Sequence, residues 1–292
     1  MGEINLTASG PVSGGTIVLN ERLEKSLIRF QKYLIQHNMS QHTITAYVFG
    51  VRHFYTKYSE LTPDNISLYK VYLMDRYQPQ TVNTRIRALN SFLKFQGISD
   101  YKVRAIRLQQ KSYLDHVISQ ADYEYLKRRL WEDEQFTFYF IIRFITATGV
   151  RVSELVTFQV SDVKKGYKDL YSKGNKMRRV YIPSSLQSAA LEWLKSEGRT
   201  KGPVFLSHLG RGISISGVRA QLKTYAIRYG LDPQTVYPHS FRHRFAKNFI
   251  ENGGDIAFLS NLLGHDSIET TRIYLRRTST EQAKIFNQVV DW

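Results

Sequence analysis

The chain has 292 residues, no cysteine, and 41 Lys and Arg against 25 Asp and Glu, a formal net charge of +16. That length fits one large domain or two ordinary ones. The missing cysteines exclude a disulfide scaffold, a thiolate nucleophile and Cys-ligated zinc or iron–sulfur centres, and they suit a reducing compartment. The charge exceeds the roughly 2–8 units that solubility needs and points to a polyanion, nucleic acid before acidic lipid.

The excess runs the length of the chain. Residues 16–100 hold 11 basic and 6 acidic side chains, 112–292 hold 26 and 18, and 101–111 hold four basic and no acidic ones. No stretch approaches the about 18 apolar residues of a membrane span, and no charged-then-apolar leader opens the chain. A cytoplasmic, nucleoid-associated protein with no membrane partner is expected.

Residues 1–15 are Gly- and Ser-rich without periodicity and are expected to form a mobile end. Helices follow. Leu23, Leu27, Phe30 and Leu34 repeat at helical spacing; Ser40 can cap a second helix carrying Ala46, Val51 and Phe54. Thr62-Pro63-Asp64 is a start signal of cap, proline at the first helical position and acid in the first turn. A fourth helix, from about Thr81 to Phe95, has Val82, Ile86, Leu89, Phe92 and Leu93 on one face and Asn83, Arg85 and Arg87 opposite. This predicts a four-helix module over 16–100, with Arg85 and Arg87 on a basic side suited to nucleic acid. Residues 101–118 read as a basic linker lying along a phosphate backbone.

From 119 a second domain is predicted, extending to 292. Ser119 opens a helix, an apolar helix covers 136–147 and ends at Gly149, and another starts near Ser153. Asp169–Tyr171 and Val180–Ile182, around a Gly-Asn turn, read as a small β-hairpin. Helices are expected near 185–196, 214–229, 240–252, 255–263 and 267–275. A last one, about 279–290, has Phe286, Val289 and Val290 in one stripe. The fold class is therefore mainly α with a small sheet in the second domain.

Metal chemistry finds little support. Of eight histidines, His239 and His243 share an i,i+4 spacing, but Ser240 stands where a zinc protease needs Glu. No Asp/Glu cluster suggests a two-metal nuclease, and no cofactor is expected. A phosphodiester would be neutralised by side chains instead. Arg151 follows Gly149 at the mouth of a helix, His239 and Arg242 lie three apart on one helix face, His265 follows Gly264, and Tyr274 stands nine residues later.

Together these segments resemble the tyrosine recombinase family, the integrases and Xer-type recombinases. The matching motifs are Thr148-Gly149-Val150-Arg151-Val152-Ser153-Glu154-Leu155, His239-Ser240-Phe241-Arg242, Leu263-Gly264-His265, and Tyr274, in the family's order and spacing. Phe241 stands where leucine is common. The resemblance implies a two-domain C-shaped clamp on double-stranded DNA, acting as a homotetramer on paired recombination sites. It implies Tyr274 as nucleophile, forming a 3′-phosphotyrosine, with Arg151 and Arg242 on the phosphate and His239 and His265 orienting it and moving protons. It also implies a hairpin lysine as general acid, Lys173 first and Lys176 as fallback, Lys176 otherwise meeting DNA. By the same resemblance the terminal segment docks on a neighbouring protomer. The absence of a further amino-terminal domain favours simple sites. Two alternatives stay open: a catalytically silent DNA-binding relative, and an enzyme like the type IB topoisomerases.

Overall fold

A computed structural model describes residues 21–107, 116–172, 176–265 and 267–275, with Asn287 and Val290. The expected mobile end, the hairpin turn with Lys173, and Phe286 and Val289 of the terminal stripe lie outside the described residues. The chain divides into two compact units, one ending at Gln110 and the next beginning at Lys111.

Among the described residues the first unit holds four α-helices, α1 (Glu21–Gln36), α2 (Gln41–Tyr55), α3 (Pro63–Arg76) and α4 (Pro79–Phe95). Their starts follow local chemistry. Ser40 accepts from the Thr43 N–H at 3.2 Å and Thr62 from the Asn65 N–H at 3.1 Å, each satisfying an orphan donor of the first turn. The α4 helix begins two residues before the expected position, with Pro79 in its first turn. Leu27, Phe30, Leu34, Ile44, Val51 and Phe92 form one buried cluster; Phe54, Ile66, Tyr69, Leu73, Val82, Ile86, Leu89 and Leu93 form the other. Gly50 lets α2 cross close to α4, since a Cβ there would stand 2.8 Å from the Ala88 Cβ.

Asn83, expected on the polar side of α4, is buried. Its amide donates to the Ile106 carbonyl at 2.9 Å and accepts the Ile106 N–H at 2.8 Å; two turns on, Asn90 does the same for Val103 at 2.9 and 3.1 Å. A carboxamide is donor and acceptor at once, so each asparagine pairs with both backbone groups of one extended residue. Val103 and Ile106 turn inward, while Lys102, Arg104 and Arg107 stay exposed.

The second unit is built around α6 (Phe136–Thr148), whose Phe140, Ile141, Ile142, Phe144 and Ile145 are buried. An apolar run on more than one face requires covering on more than one side. α5 (Gln120–Glu132), α9 (Ser184–Ser196) and α11 (Pro238–Glu251) pack on it. Strands β1 (Tyr167–Ser172) and β2 (Lys176–Tyr181) form an antiparallel hairpin with Tyr167 opposite Tyr181 and Ser172 opposite Lys176. The remaining helices are α7 (Val152–Leu155), α8 (Val160–Lys165), α10 (Ile215–Arg228), α12 (Ile256–Leu263) and α13 (Glu269–Arg272), the last running into a 3₁₀ turn, Ile273–Leu275. Among the described residues no helix is long and apolar enough to cross a membrane.

Candidate active site

Two glycine-capped helix ends position the site. At the end of α6, Gly149 adopts φ +66°, and a Cβ there would meet the Phe245 ring at 2.4 Å. At the end of α12, Gly264 adopts φ +61°, and a Cβ would meet the Arg178 Cδ at 2.6 Å. Glycine is needed at both for the left-handed turn and for the close approach.

The last carbonyls of a helix lack intrahelical partners and carry the negative end of its dipole. At the end of α12 three consecutive carbonyls are taken by three arginines from different elements. Arg178 of β2 donates to Leu262, Arg242 of α11 to Leu263 at 2.6 Å, and Arg151, before α7, to Gly264 at 3.1 Å. Arg242 also donates to the Gly149 carbonyl at 2.5 Å, tying the two capped ends together.

Glu154 offsets part of this charge. It accepts from the Arg151 backbone N–H at 2.8 Å, from the Arg151 guanidinium at 3.1 Å and from Arg178 at 2.5 Å. Burial pushes its carboxyl upward, but Arg178 and Arg151 prevail and hold it below the usual carboxylate range. Burial and then the neighbouring Arg151 lower Arg242 to about 10, which leaves it cationic at neutral pH. Arg151 is the more open of the two, with its side chain 36% exposed.

His265 accepts from Arg242 through Nε2 at 3.2 Å, so its proton sits on Nδ1, which donates to the Thr271 hydroxyl at 2.8 Å. Burial, then Arg242, Arg151 and Arg178, push it down to about 4. His239 stands in the first turn of α11 with an exposed edge; partial burial and the charges of Arg242, Arg219 and Arg151 lower it too. Tyr274, on the 3₁₀ turn, is 5% exposed and packs with Ala246, Leu259 and Leu263. Burial raises its phenol to about 12, against the pull of Arg242 and Arg151. Its oxygen lies 2.8 Å from His243 Nδ1.

The structure thus brings Arg151, His239, Arg242, His265 and Tyr274 into one constellation. Lys173 lies outside the described residues, and Lys176 opens β2 opposite Ser172. Arg85 and Arg87 belong to the first unit. Arg87 is exposed; Arg85 is half-buried, stacked 3.9 Å over the Tyr77 ring with its Nη1 3.0 Å from His53 Nε2. Three participants escaped the sequence reading: Glu154, quoted only as part of a motif; Arg178, one of several cations in 176–179; and His243. The alternation of β2, with Arg178 on the same side as buried Val180, was the available signal for Arg178. Among the described residues no group of three or more His, Asp or Glu side chains could hold a metal ion.

A helical unit carrying a small hairpin thus brings arginines, histidines and a buried tyrosine together at a helix end. Comparison with known proteins gives the family. Residues 117–281 match the phage integrase family and residues 27–96 its N-terminal SAM-like domain. The chain belongs to the phage integrase family, and is a site-specific recombinase of the tyrosine type, breaking and rejoining DNA strands.

It is 28% identical to tyrosine recombinase XerC of Pediococcus pentosaceus, over 85% of this chain and 92% of that one. It is 30% identical to XerD of Staphylococcus haemolyticus, where the match spans about half of each, 51% and 52%. A Tn1549 transposon integrase in complex with transposon right-end DNA shares the fold, with a TM-score of 0.69 at 15% identity, over 90% of this chain and 99% of that one. The mainly helical class with a small sheet holds as expected from the sequence.

Proposed function

We propose that this recombinase joins double-stranded DNA at paired sites, as a homotetramer, through Tyr274. Arg151 and Arg242 would hold the non-bridging oxygens of the scissile phosphate and stabilise the charge that develops in the transition state. His265, already fixed by Arg242 and Thr271, and His239 at the α11 start would orient the phosphate. The hairpin lysine, Lys173 or else Lys176, would protonate the departing 5′ oxygen. A tyrosine nucleophile conserves the bond energy as a 3′-phosphotyrosine, so rejoining needs no external energy source. Arg87, Arg85 and Lys176 would contact DNA outside the reacting phosphate, in the cytoplasm and at the nucleoid. Integration, excision, inversion and dimer resolution all fit this chemistry. A silent relative and a type IB topoisomerase are not favoured.

The observation that supports the assignment is the buried Tyr274, whose phenol lies 2.8 Å from His243, the residue next to Arg242 on α11. A nicked suicide substrate, run on a denaturing gel, tests it. Wild type should become covalently attached; Tyr274→Phe should bind the same DNA and give no adduct. An adduct in the variant would move the nucleophile elsewhere.

A further inference from the structure

We propose that His243, one position past the His239-x-x-Arg242 motif, is the group that accepts the phenolic proton of Tyr274. The inference rests on the reading of Tyr274 as the nucleophile.

The geometry begins with the phenol. The Tyr274 side chain is buried, and its oxygen lies 2.8 Å from His243 Nδ1. A buried hydroxyl needs an acceptor for its proton. If His243 carried its proton on Nδ1, the phenol would receive a hydrogen bond and its own O–H would point at nothing. The consistent assignment is a neutral ring with the proton on Nε2 and Nδ1 as acceptor. The ring is held in place by its position on α11, whose Phe241, Arg242 and Ala246 are buried on either side of it in sequence.

The charges around His243 keep it in the accepting form. His239 and Arg242 come from its own helix, Tyr274 from the 3₁₀ turn, and His265 from the loop after α12. Burial, then His239 and Arg242, push His243 down to about 4. A ring neutral across the physiological range is an open base. A bound phosphodiester would add the negative charge that a transient imidazolium lacks in the free protein. On cleavage the Tyr274 O–H bond breaks and its proton passes to Nδ1. The phenolic oxygen forms its bond to phosphorus as the bond from phosphorus to the 5′ oxygen breaks. The 5′ oxygen leaves with the electron pair and takes a proton from the hairpin lysine. Rejoining reverses each transfer, returning the proton from His243 to Tyr274.

Neither His239 nor His265 has this contact. His265 uses both ring nitrogens on Arg242 and Thr271. In the sequence His243 has a role only as a metal ligand paired with His239, a reading that Ser240 argues against, and its partner Tyr274 lies 31 positions away.

The test is single-turnover cleavage of a suicide substrate by the full-length protein, from pH 6 to pH 9. His243→Asn keeps a side-chain oxygen near the Nδ1 position, so it preserves an acceptor for the hydrogen bond but cannot carry the proton. His243→Ala removes both. We expect both variants to bind DNA normally and to cleave about 10²-fold more slowly at pH 7. Their rates should climb with pH as solvent takes over the proton, where the wild-type profile is flat. Added imidazole should restore cleavage by His243→Ala and leave wild type unchanged. Near-normal cleavage by His243→Asn would reduce His243 to a positioning residue and overturn the proposal. So would a His243→Ala rate and pH profile matching wild type. Should Tyr274→Phe still form adduct, the nucleophile assignment itself falls; a dead Tyr274→Phe beside an unaffected His243→Ala refutes this inference alone.

Discussion

At the scale of single residues, the site is a problem in like charge. Arg151, Arg178 and Arg242 converge before any phosphate arrives, and they are tolerated because helix-end carbonyls and Glu154 take up their hydrogen bonds. Glu154→Gln keeps the shape but withdraws the charge and turns an amide donor toward a guanidinium. We expect it to lower stability by about 1–3 kcal/mol and to slow cleavage on saturating DNA, with little change in DNA affinity. Urea unfolding and suicide-substrate kinetics read the two effects; a variant as active and stable as wild type would remove Glu154 from the scaffold of the site. The half-buried histidines give a second expectation. His243 and His265 lie near 4 in the folded protein against about 6.5 unfolded, so the unfolded chain binds more protons between those values. Stability present above pH 6.5 should be lost as pH falls toward 4, with the midpoint of thermal unfolding dropping by at least about 4 °C between pH 7 and 5. A flat midpoint over that range would contradict neutral burial. The motif residues were legible because their chemistry depends on spacing along helices. Arg178 and His243 were not: one depends on strand register, the other on a partner 31 positions away.

At the scale of elements, the asparagines of α4 show where periodicity misleads. The sequence pattern puts Asn83 on the polar face, yet it is buried by the segment it grips. Sequence patterning sees a helix's own residues and not the extended chain that returns to cover them. The same limit explains α8, whose six residues are too few to show a period; its start is fixed by Gln159 and Asp162 instead. The start of α11 at Pro238, two residues before the expected 240, carries the usual proline signal. Four hydrogen bonds from two side chains fasten Val103 and Ile106. Asn83→Ala with Asn90→Ala should therefore release residues 102–107 while leaving the four-helix core folded, since Leu89, Phe92 and Leu93 are untouched. Trypsin should cut at Lys102, Arg104 and Arg107 at least about 10-fold faster in the double variant, because cleavage follows the population of the open form. Equal cutting rates would mean that the apolar contacts of Val103 and Ile106 hold the segment alone.

At the scale of the whole molecule, the net charge of +16 is the feature that sequence stated most directly. Its consequence for binding can be put as a slope. Each phosphate neutralised by Lys or Arg releases condensed counterions, so the logarithm of the affinity for duplex DNA falls with the logarithm of salt at about −0.9 per contact. With 6–10 contacts the affinity should fall roughly 10³–10⁵-fold between 50 and 200 mM salt. The structure adds a local share of that slope. Lys102, Arg104 and Arg107 are exposed on a segment whose backbone is already fixed by Asn83 and Asn90, so little ordering entropy opposes their contact with a phosphate row. Changing all three to alanine should flatten the slope by about 2.7 and weaken binding most at low salt. Releasing the segment through Asn83→Ala and Asn90→Ala keeps the charges but frees the chain. It should weaken binding at every salt concentration while leaving the slope nearly unchanged, because ordering the segment costs free energy that salt does not alter. Fluorescence anisotropy with one duplex, read for wild type and both variants across the salt series, separates the two effects. A slope unchanged in the triple alanine variant would mean that these residues do not meet DNA, and the basic segment would then owe its charge to solubility alone.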